Sequence, residues 1–280
     1  MTTPRVRLVT LAYGGEPVRT QALYCAWSAL AWSEGLPLSV HVYTDDPAAY
    51  GPVAGRIEVE PITMDRIRAW RGPDDFVHRQ KTELVRDVAA RFPGDRLLYV
   101  DSDTFFTGPV ARAAERIGPG RSVLHVREFH VATHKTSQMK KFRREMEGVT
   151  FRGRPVDLGC DMWNAGALGL DPAQFGLLAE WLELIDAVYP RVPRFYVEQF
   201  AISLLLQRET SVAAIDDVLF HYWFQKDEYT EALRRALAAL ATLPPDAADA
   251  RLRATPIRLP YRKQGSSLAH RLRRIFLGKR

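Results

Sequence analysis

The sequence has only two cysteines, no long apolar run and no recognisable signal peptide. Cys25 and Cys160 both stand among apolar neighbours, which predicts buried free thiols rather than a disulfide and fits a reducing compartment. No apolar stretch approaches the roughly 18 residues that a membrane-spanning helix needs. The first residues, Met-Thr-Thr-Pro-Arg, pass directly into a strand-like run without an apolar signal core. These absences together predict a cytoplasmic protein.

Lysine is also scarce, and the cationic charge is unevenly distributed. Arginine outnumbers lysine by 32 to 7, which we interpret as the mark of a GC-rich bacterial genome. Residues 251–280 hold ten Lys or Arg residues and no acid. Residues 1–250 carry 29 basic and 33 acidic groups, a net charge of −4, so the formal net charge of +6 comes from the tail.

The basic tail allows two interpretations. Its apolar residues keep a helical spacing that is typical of an amphipathic helix on anionic lipid; they are Leu268, Leu272, Ile275 and Phe276. The other interpretation is a solvated or docked C-terminal helix. The first interpretation would hold the protein peripherally at the inner face of a membrane through residues 251–280, and the sequence leaves both interpretations open. We expect no specific nucleic acid partner, because the basic segment contains no recognisable binding motif.

Length and periodicity predict the fold class. At 280 residues with 46% hydrophobic and 26% charged residues, the chain suits one large soluble domain. Its first part alternates between strand-like and helix-like patterns: strands at 5–12, 38–43, 57–62 and 97–100, and helices at 17–33 and 76–92. This alternation predicts an α/β protein in which helices flank a mostly parallel, Rossmann-like sheet.

The second part of the chain is predicted less regularly, and no internal repeat is present. Residues 127–156 are polar, basic and weakly patterned, which favours a mobile lid or an acceptor loop. Asp171-Pro172 is a typical helix start, and the helix should run to Val188. The other predicted elements are strands at 121–126 and 212–220 and helices at 196–206 and 230–242. We divide the chain into a domain at 1–227 and a helical segment with the basic tail at 228–280.

The most informative segment is 96–106, in which a short apolar run ends in Asp101-Ser102-Asp103 and two phenylalanines. Acidic groups at the carboxyl end of a buried strand lie where open α/β sheets bind ligands. Two carboxylates this close repel each other unless a cation lies between them. A divalent metal satisfies that requirement and also binds phosphate oxygens. The alternative is a solvated turn that caps a helix.

Three further segments contain residues suited to the same kind of site. Asn164 and Gly166 begin a predicted strand, where the alternative is an ordinary turn. Glu198-Gln199 stands between aromatic residues at the start of a helix, and the alternative is a solvated acid near the helix dipole. His221 ends a predicted strand; it is either a packed residue or a third metal ligand. Lys226, five residues later, could pair with a diphosphate.

In their order along the chain, these pieces resemble the glycosyltransferases of the GT-A fold, most closely family 8, the group of glycogenin and the bacterial lipooligosaccharide galactosyltransferases. The resemblance covers roughly residues 5–227: an N-terminal βα unit, a helix bearing Lys81, the Asp-x-Asp strand, Asn-Ala-Gly, an acid–Gln pair and a late His with a Lys. It implies a GT-A fold and the transfer of a sugar from a nucleoside-diphosphate sugar, expected to be a UDP-sugar, to an envelope glycan, lipid-linked or other acceptor.

The resemblance also implies residue roles. Asp101, Asp103 and His221 would bind Mn2+ (or Mg2+), which bridges the donor's diphosphate. Lys81 and Lys226 would add positive charge near the phosphates, and Ser102 belongs to the same donor-binding segment. Asn164, Glu198 and Gln199 would hold the donor sugar or stabilise the cationic anomeric carbon. The nucleoside would lie against the end of the first strand, with Tyr13 in a position to stack on the base; the lining residues are Thr10, Leu11, Ala12 and Tyr13.

The chain departs from the family pattern at three places. No acid follows the first strand near the base, the late motif lacks the family's Gly and Pro-Trp, and Glu198 stands where Asp is commoner. Two alternatives to a glycosyltransferase stay open. One is a non-enzymatic protein that binds a membrane or a nucleic acid through its tail. The other is a phosphatase of the haloacid dehalogenase type, although Phe105 replaces the Thr or Val of that motif.

Overall fold

A computed structural model describes residues 5–260, and a seven-stranded sheet forms its centre. Along the chain the strands are β1 Val6–Ala12, β2 Leu38–Thr44, β3 Glu58–Pro61, β4 Arg96–Val100, β5 Thr104–Phe106, β6 Arg121–His130, β7 Thr150–Phe151, β8 Arg154–Pro155, β9 Asp161–Leu170, β10 Ser211–Ala214 and β11 Leu219–His221. The central sheet has the order β10-β6-β9-β4-β1-β2-β3. Its strands are parallel except β9, which pairs antiparallel with both β4 and β6.

Helices cover both faces of this sheet. They are α1 Glu16–Ala31, α2 Met64–Trp70, α3 Arg79–Arg91, α4 Val110–Ala114, α5 Ser137–Glu145, α6 Leu177–Val188, α7 Val197–Glu209, α8 Lys226–Leu240 and α9 Pro245–Ala254, with 3-10 helices at Pro47–Val53 and Pro172–Gln174. Alternate residues of a strand face opposite sides. In β4, Leu97 and Tyr99 pack with α3, α6 and α7, whereas Leu98 and Val100 pack with α1, α8 and α9.

This architecture confirms the predicted fold class, an α/β protein with helices on both faces of a mostly parallel sheet. The predicted strands of the first part and both of its helices are present, with ends that differ by up to three residues. Cys25 and Cys160 are buried free thiols, as predicted. Among residues 5–260, no helix is both long enough and apolar enough to cross a bilayer.

Residues 127–156 correct the prediction of an open loop. Here β6 continues to His130, α5 follows, and β7 and β8 form a short hairpin. Thr136 caps α5 by accepting a hydrogen bond from the Met139 backbone N–H (3.4 Å), and Met139 and Phe142 are buried beneath the helix. Since only these two residues of α5 are buried and cationic residues surround them, the apolar periodicity of the segment is too weak to predict a helix.

Two other predicted boundaries are wrong. The strand expected at 212–220 is two strands in different sheets, β10 and β11, because the chain turns at Asp216-Asp217, residue types that favour turns. The helix expected from Asp171 begins instead as a 3-10 helix, which Asp171 caps, and α6 starts only after Gly176. Glycine inside an α-helix costs about 1 kcal/mol relative to alanine.

The described part of the C-terminal segment packs on the rest of the molecule. Tyr229 and Leu233 of α8 and Leu252 of α9 share one hydrophobic cluster with α1. Asp249 of α9 also accepts a hydrogen bond from Trp27 Nε1 of α1 (3.1 Å). The division at residue 227 stays a prediction, and the predicted amphipathic residues Leu268, Leu272, Ile275 and Phe276 lie outside the described residues.

Candidate metal centre

The turn after β4 brings Asp101, Asp103 and His221 together. Asp101 stays attached to β9 through its backbone N–H, which donates to the Gly166 carbonyl (2.8 Å), and Thr104 Oγ1 donates to the Asp101 carbonyl (2.7 Å). The following strand, β5, pairs antiparallel with β11, with Thr104 opposite His221. One potential ligand atom from each of Asp101, Asp103 and His221 lies within 4.8 Å of the other two.

Asp103 is buried, and its carboxylate contacts Lys226 and His221. Its Oδ2 atom lies 2.8 Å from Lys226 Nζ and 3.4 Å from His221 Nε2. Although burial acts to raise the pKa of Asp103, these contacts hold it well below its usual range. The same buried Oδ2 receives no well-directed hydrogen bond from any described residue. A buried, ionised oxygen in this state suits coordination to a cation.

Lys81, predicted to lie near phosphates, is only 6% exposed and lies between two acids. Its Nζ donates to the Ala165 carbonyl (2.9 Å) and lies 3.3 Å from Asp101 Oδ1 and 3.5 Å from Glu198 Oε2. Burial opposes the charge of Lys81, but the two carboxylates outweigh burial and raise its pKa. Lys81 therefore stays charged and neutralises acids inside the site.

Glu198 stands in the first turn of α7 but is only 3% exposed, so it is not the solvated acid that helix position alone would allow. Burial raises the pKa of Glu198 to about 7, with Lys81 opposing this shift and Asp101 adding to it. Its Oε1 atom is buried without a hydrogen-bond partner among the described residues. Gln199 next to it donates through Nε2 to Glu128 Oε2 (3.0 Å).

Asn164 and Gly166 lie within β9 rather than in a turn before it, and both contact His221. Asn164 Oδ1 accepts from the Gly166 backbone N–H (2.9 Å) and lies 3.0 Å from His221 Nδ1. Its Nδ2 donates to Glu128 Oε1 (3.0 Å). Gly166 leaves the space that the imidazole occupies, since a Cβ there would lie 2.3 Å from His221 Nδ1.

These groups line one cleft of about 490 Å³. It also contains residues that the sequence interpretation missed: Glu128, Phe129, His134, Met139, His78 and Trp223. Glu128 could have been found, because it stands two residues beyond the predicted strand 121–126, at the same edge of the sheet as Asp101. The exposed aromatic side chains Phe195 and Trp223 lie on the walls of the cleft, 66% and 57% exposed.

The predicted nucleoside-binding residues are not part of this cleft's lining among residues 5–260. Thr10, Leu11 and Ala12 form the buried carboxyl end of β1, and Tyr13 follows with its hydroxyl donating to Gln80 Oε1 (2.7 Å). Ser102, half-buried between the two aspartates, also does not line the cleft. The structure thus brings eight predicted residues together: Lys81, Asp101, Asp103, Asn164, Glu198, Gln199, His221 and Lys226.

Two carboxylates and one imidazole fit a divalent metal with a preference for oxygen and nitrogen ligands, such as Mn2+. Fold and site together define an α/β protein with a candidate metal centre at the carboxyl edge of its sheet.

No protein-family model matches the chain, and no curated protein matches it in sequence. Among solved structures, it is similar to mouse xyloside xylosyltransferase 1 in its apo form, with a TM-score of 0.49 and 13% identity over 82% of this chain and 92% of that chain.

Proposed function

We propose that the protein is a metal-dependent glycosyltransferase of the GT-A type that transfers a sugar from a nucleoside-diphosphate sugar to a hydroxyl acceptor. The observation that carries this proposal is the convergence of Asp101, Asp103 and His221, with ligand atoms within 4.8 Å of one another, in a cleft that also holds two lysines. A divalent ion on these residues would neutralise the charge that develops on the departing nucleoside diphosphate.

The protein's own residues then bind and orient the donor. Lys226 is half-exposed, so its ammonium can contact diphosphate oxygens as well as Asp103. The partnerless Oε1 of Glu198 can accept a hydrogen bond from a hydroxyl of the donor sugar, which would satisfy a buried polar atom. Gln199 offers a second polar group beside it. Lys81 holds Asp101 and Glu198 in place by pairing with both.

The remaining roles are proposals of the same kind. The nucleoside would contact the carboxyl end of β1 through Tyr13, the one residue of 10–13 that is not buried, and a uridine nucleotide is the expected one. The outer part of the cleft, with the exposed Phe195 and Trp223, is open enough to admit an acceptor glycan or a lipid-linked glycan. No described feature favours the phosphatase alternative, and the membrane alternative depends on residues outside 5–260.

A thermal-shift experiment tests the proposal. The protein is heated with UDP-, GDP- and CMP-sugars, each with and without MnCl2, and its melting temperature is recorded. We expect one nucleotide class to stabilise the protein only with the metal. Asp103→Asn should abolish that stabilisation, whereas the matched change Asp65→Asn, at an exposed carboxylate of α2, should preserve it. Absence of metal-dependent stabilisation by every donor in the panel would refute the proposal.

A further inference from the structure

The side-chain amide of Asn164 has one possible orientation in this structure. The Gly166 backbone N–H, 2.9 Å from one end of the amide, needs an oxygen there. The Glu128 carboxylate, 3.0 Å from the other end, needs an N–H. Both contacts identify the same end as Oδ1, and this oxygen also faces His221 Nδ1 at 3.0 Å. His221 therefore meets an atom that can only accept a hydrogen bond.

This contact determines which nitrogen of His221 carries the proton. If Nδ1 were unprotonated, two lone pairs would face each other at 3.0 Å, so Nδ1 must donate to Asn164. In the neutral ring the Nε2 atom then has a free lone pair. Nε2 lies 3.4 Å from Asp103 Oδ2, which is also an acceptor. Two acceptors this close are compatible when a cation lies beside them, which is either the Lys226 ammonium, 2.8 Å from the same Oδ2, or a bound metal ion.

The ring is also confined sterically. Gly166 has no Cβ, and a Cβ would meet both Nδ1 and Cε1 of His221 at 2.3 and 2.4 Å. On another side the ring of His125 packs edge-on against it, with centroids 5.3 Å apart. His125 is itself held by a hydrogen bond between its Nε2 and the Leu219 carbonyl (3.1 Å). The slot therefore restricts the plane of the imidazole, and Asn164 determines its tautomer.

We propose that Asn164 is a positioning residue that keeps His221 in the Nδ1–H tautomer with Nε2 free to bind a divalent cation, and that Glu128 fixes the orientation of the Asn164 amide. Metal-binding histidines commonly donate their second ring N–H to a carboxylate or carbonyl, which orients the ring. Here the side-chain amide of Asn164 accepts this hydrogen bond, and the Glu128 carboxylate in turn accepts one from that amide. The role in metal binding rests on the proposed function, whereas the tautomer does not.

This role differs from the donor-sugar contact that the resemblance implies for Asn164. Two donors already occupy Oδ1, and one Nδ2 hydrogen is used by Glu128. Asn164 is only 7% exposed, so the side chain has little capacity left for a ligand. It is also the only asparagine of the 280 residues, which makes selective isotope labelling of its amide unambiguous.

The test measures the tautomer and the metal affinity separately. Nitrogen-15 NMR of the metal-free protein at pH 9, well above the ordinary imidazole pKa of about 6.5, reports which ring nitrogen carries the proton. The seven histidines are distinguished by comparison with His221→Gln. We expect Nδ1–H in the wild type. In Asn164→Leu we expect Nε2–H, since Asp103 is then the nearest acceptor. Mn2+ titration followed by electron paramagnetic resonance should show affinity reduced about 10- to 100-fold.

Two further variants keep the test decisive. Asn164→Asp combined with Glu128→Gln retains an acceptor for Nδ1 and an N–H···O contact between residues 128 and 164, so it should preserve the Nδ1–H tautomer even if Asn164→Leu does not fold. Gln174→Leu removes another buried amide, which donates to the Gly118 carbonyl at the far end of β9, and should change neither readout. An Nε2–H tautomer in the wild type, or the same tautomer and Mn2+ affinity in Asn164→Leu, would overturn the inference. If the tautomer behaves as expected but no nucleotide-sugar binds, the positioning role stands and the proposed function fails.

Discussion

Several carboxylates at the two edges of the central sheet differ in their hydrogen bonding. At the amino edge, where the parallel strands begin, Asp95 accepts a hydrogen bond from Arg7 Nε (2.7 Å), and Asp171 caps a 3-10 helix. At the carboxyl edge, the buried Asp103 and Glu198 each retain an oxygen without a well-directed hydrogen bond from residues 5–260. Asp95 and Asp171 are thus hydrogen-bonded within the protein, whereas Glu198 and Asp103, whose Oδ2 has only ion-pair contacts, leave acceptor atoms for a ligand.

The largest contrast is expected when one cation is removed from each edge. Lys81→Met leaves Asp101 and Glu198 without their shared partner, and breaking a buried pair in this way typically costs about 3–5 kcal/mol of unfolding free energy. Arg7→Met removes the pair with Asp95, whose side chains are 18% and 23% exposed, and should cost less than Lys81→Met because water still reaches both charges. Urea unfolding of both variants measures the difference, and equal losses would contradict the contrast between the edges.

A second contrast concerns the pH dependence of stability. Burial raises the pKa of Glu198 to about 7, so between its ordinary value of 4.5 and about 7 the folded protein retains a proton that the unfolded chain releases. Glu198 therefore stabilises the fold fully below about pH 4.5, and this contribution is lost as the pH rises through 7. At about 1.4 kcal/mol per pKa unit, the upper limit is about 3–4 kcal/mol.

Glu198→Gln should flatten this part of the stability profile, measured by urea unfolding from pH 4.5 to 8. Asp217 has the opposite pKa shift. It pairs with Arg116 on the surface, and the hydrogen bond from Arg116 lowers the pKa of Asp217. Asp217 therefore contributes to the free energy of unfolding at neutral pH, and this contribution is lost as the pH falls. Asp217→Asn should remove it. A profile unchanged by Glu198→Gln would show that Glu198 is ionised throughout the range.

The smallest of the three expected effects comes from adding one methyl group at each edge. Gly166→Ala places a Cβ 2.3 Å from His221 Nδ1, so the ring must move and Mn2+ affinity should fall about 10- to 100-fold. Gly94→Ala, just before β4 at the amino edge, meets no described atom within 4 Å and should bind Mn2+ as the wild type does. Isothermal titration with MnCl2 compares them, and equal affinities would remove Gly166 from the site.

Much of the carboxyl edge could be predicted from local pattern. The apolar run 97–100 followed by Asp101 and Asp103 identified a buried strand and the acids at its end, and β4 confirms it. The positions of Lys81, Glu198 and His221 followed from the order of motifs along the chain. Their burial could not be predicted, because a first-turn acid and a helix lysine have the same local pattern whether they face solvent or a cleft.

Glu128 shows why the remainder was missed. It lies on β6, beyond the predicted end of that strand, and its side chain accepts hydrogen bonds from Asn164 and Gln199, 36 and 71 residues away. The antiparallel insertion of β9 between β4 and β6 brings these residues together. Strand order and direction depend on packing across the whole sheet, so no local periodicity encodes them.

Burial periodicity and turn chemistry are local properties, so the amino-acid sequence was sufficient to predict the alternation of strands and helices, the two acids at the end of β4 and the free thiols. Which charges share a site depends on the folded chain. The tertiary structure buried Lys81 between Asp101 and Glu198, put His221 beside Asp103 by pairing β11 with β5, and put Asn164 behind His221. These contacts join residues far apart in the chain, and the low exposure that makes them strong exists only in the folded state.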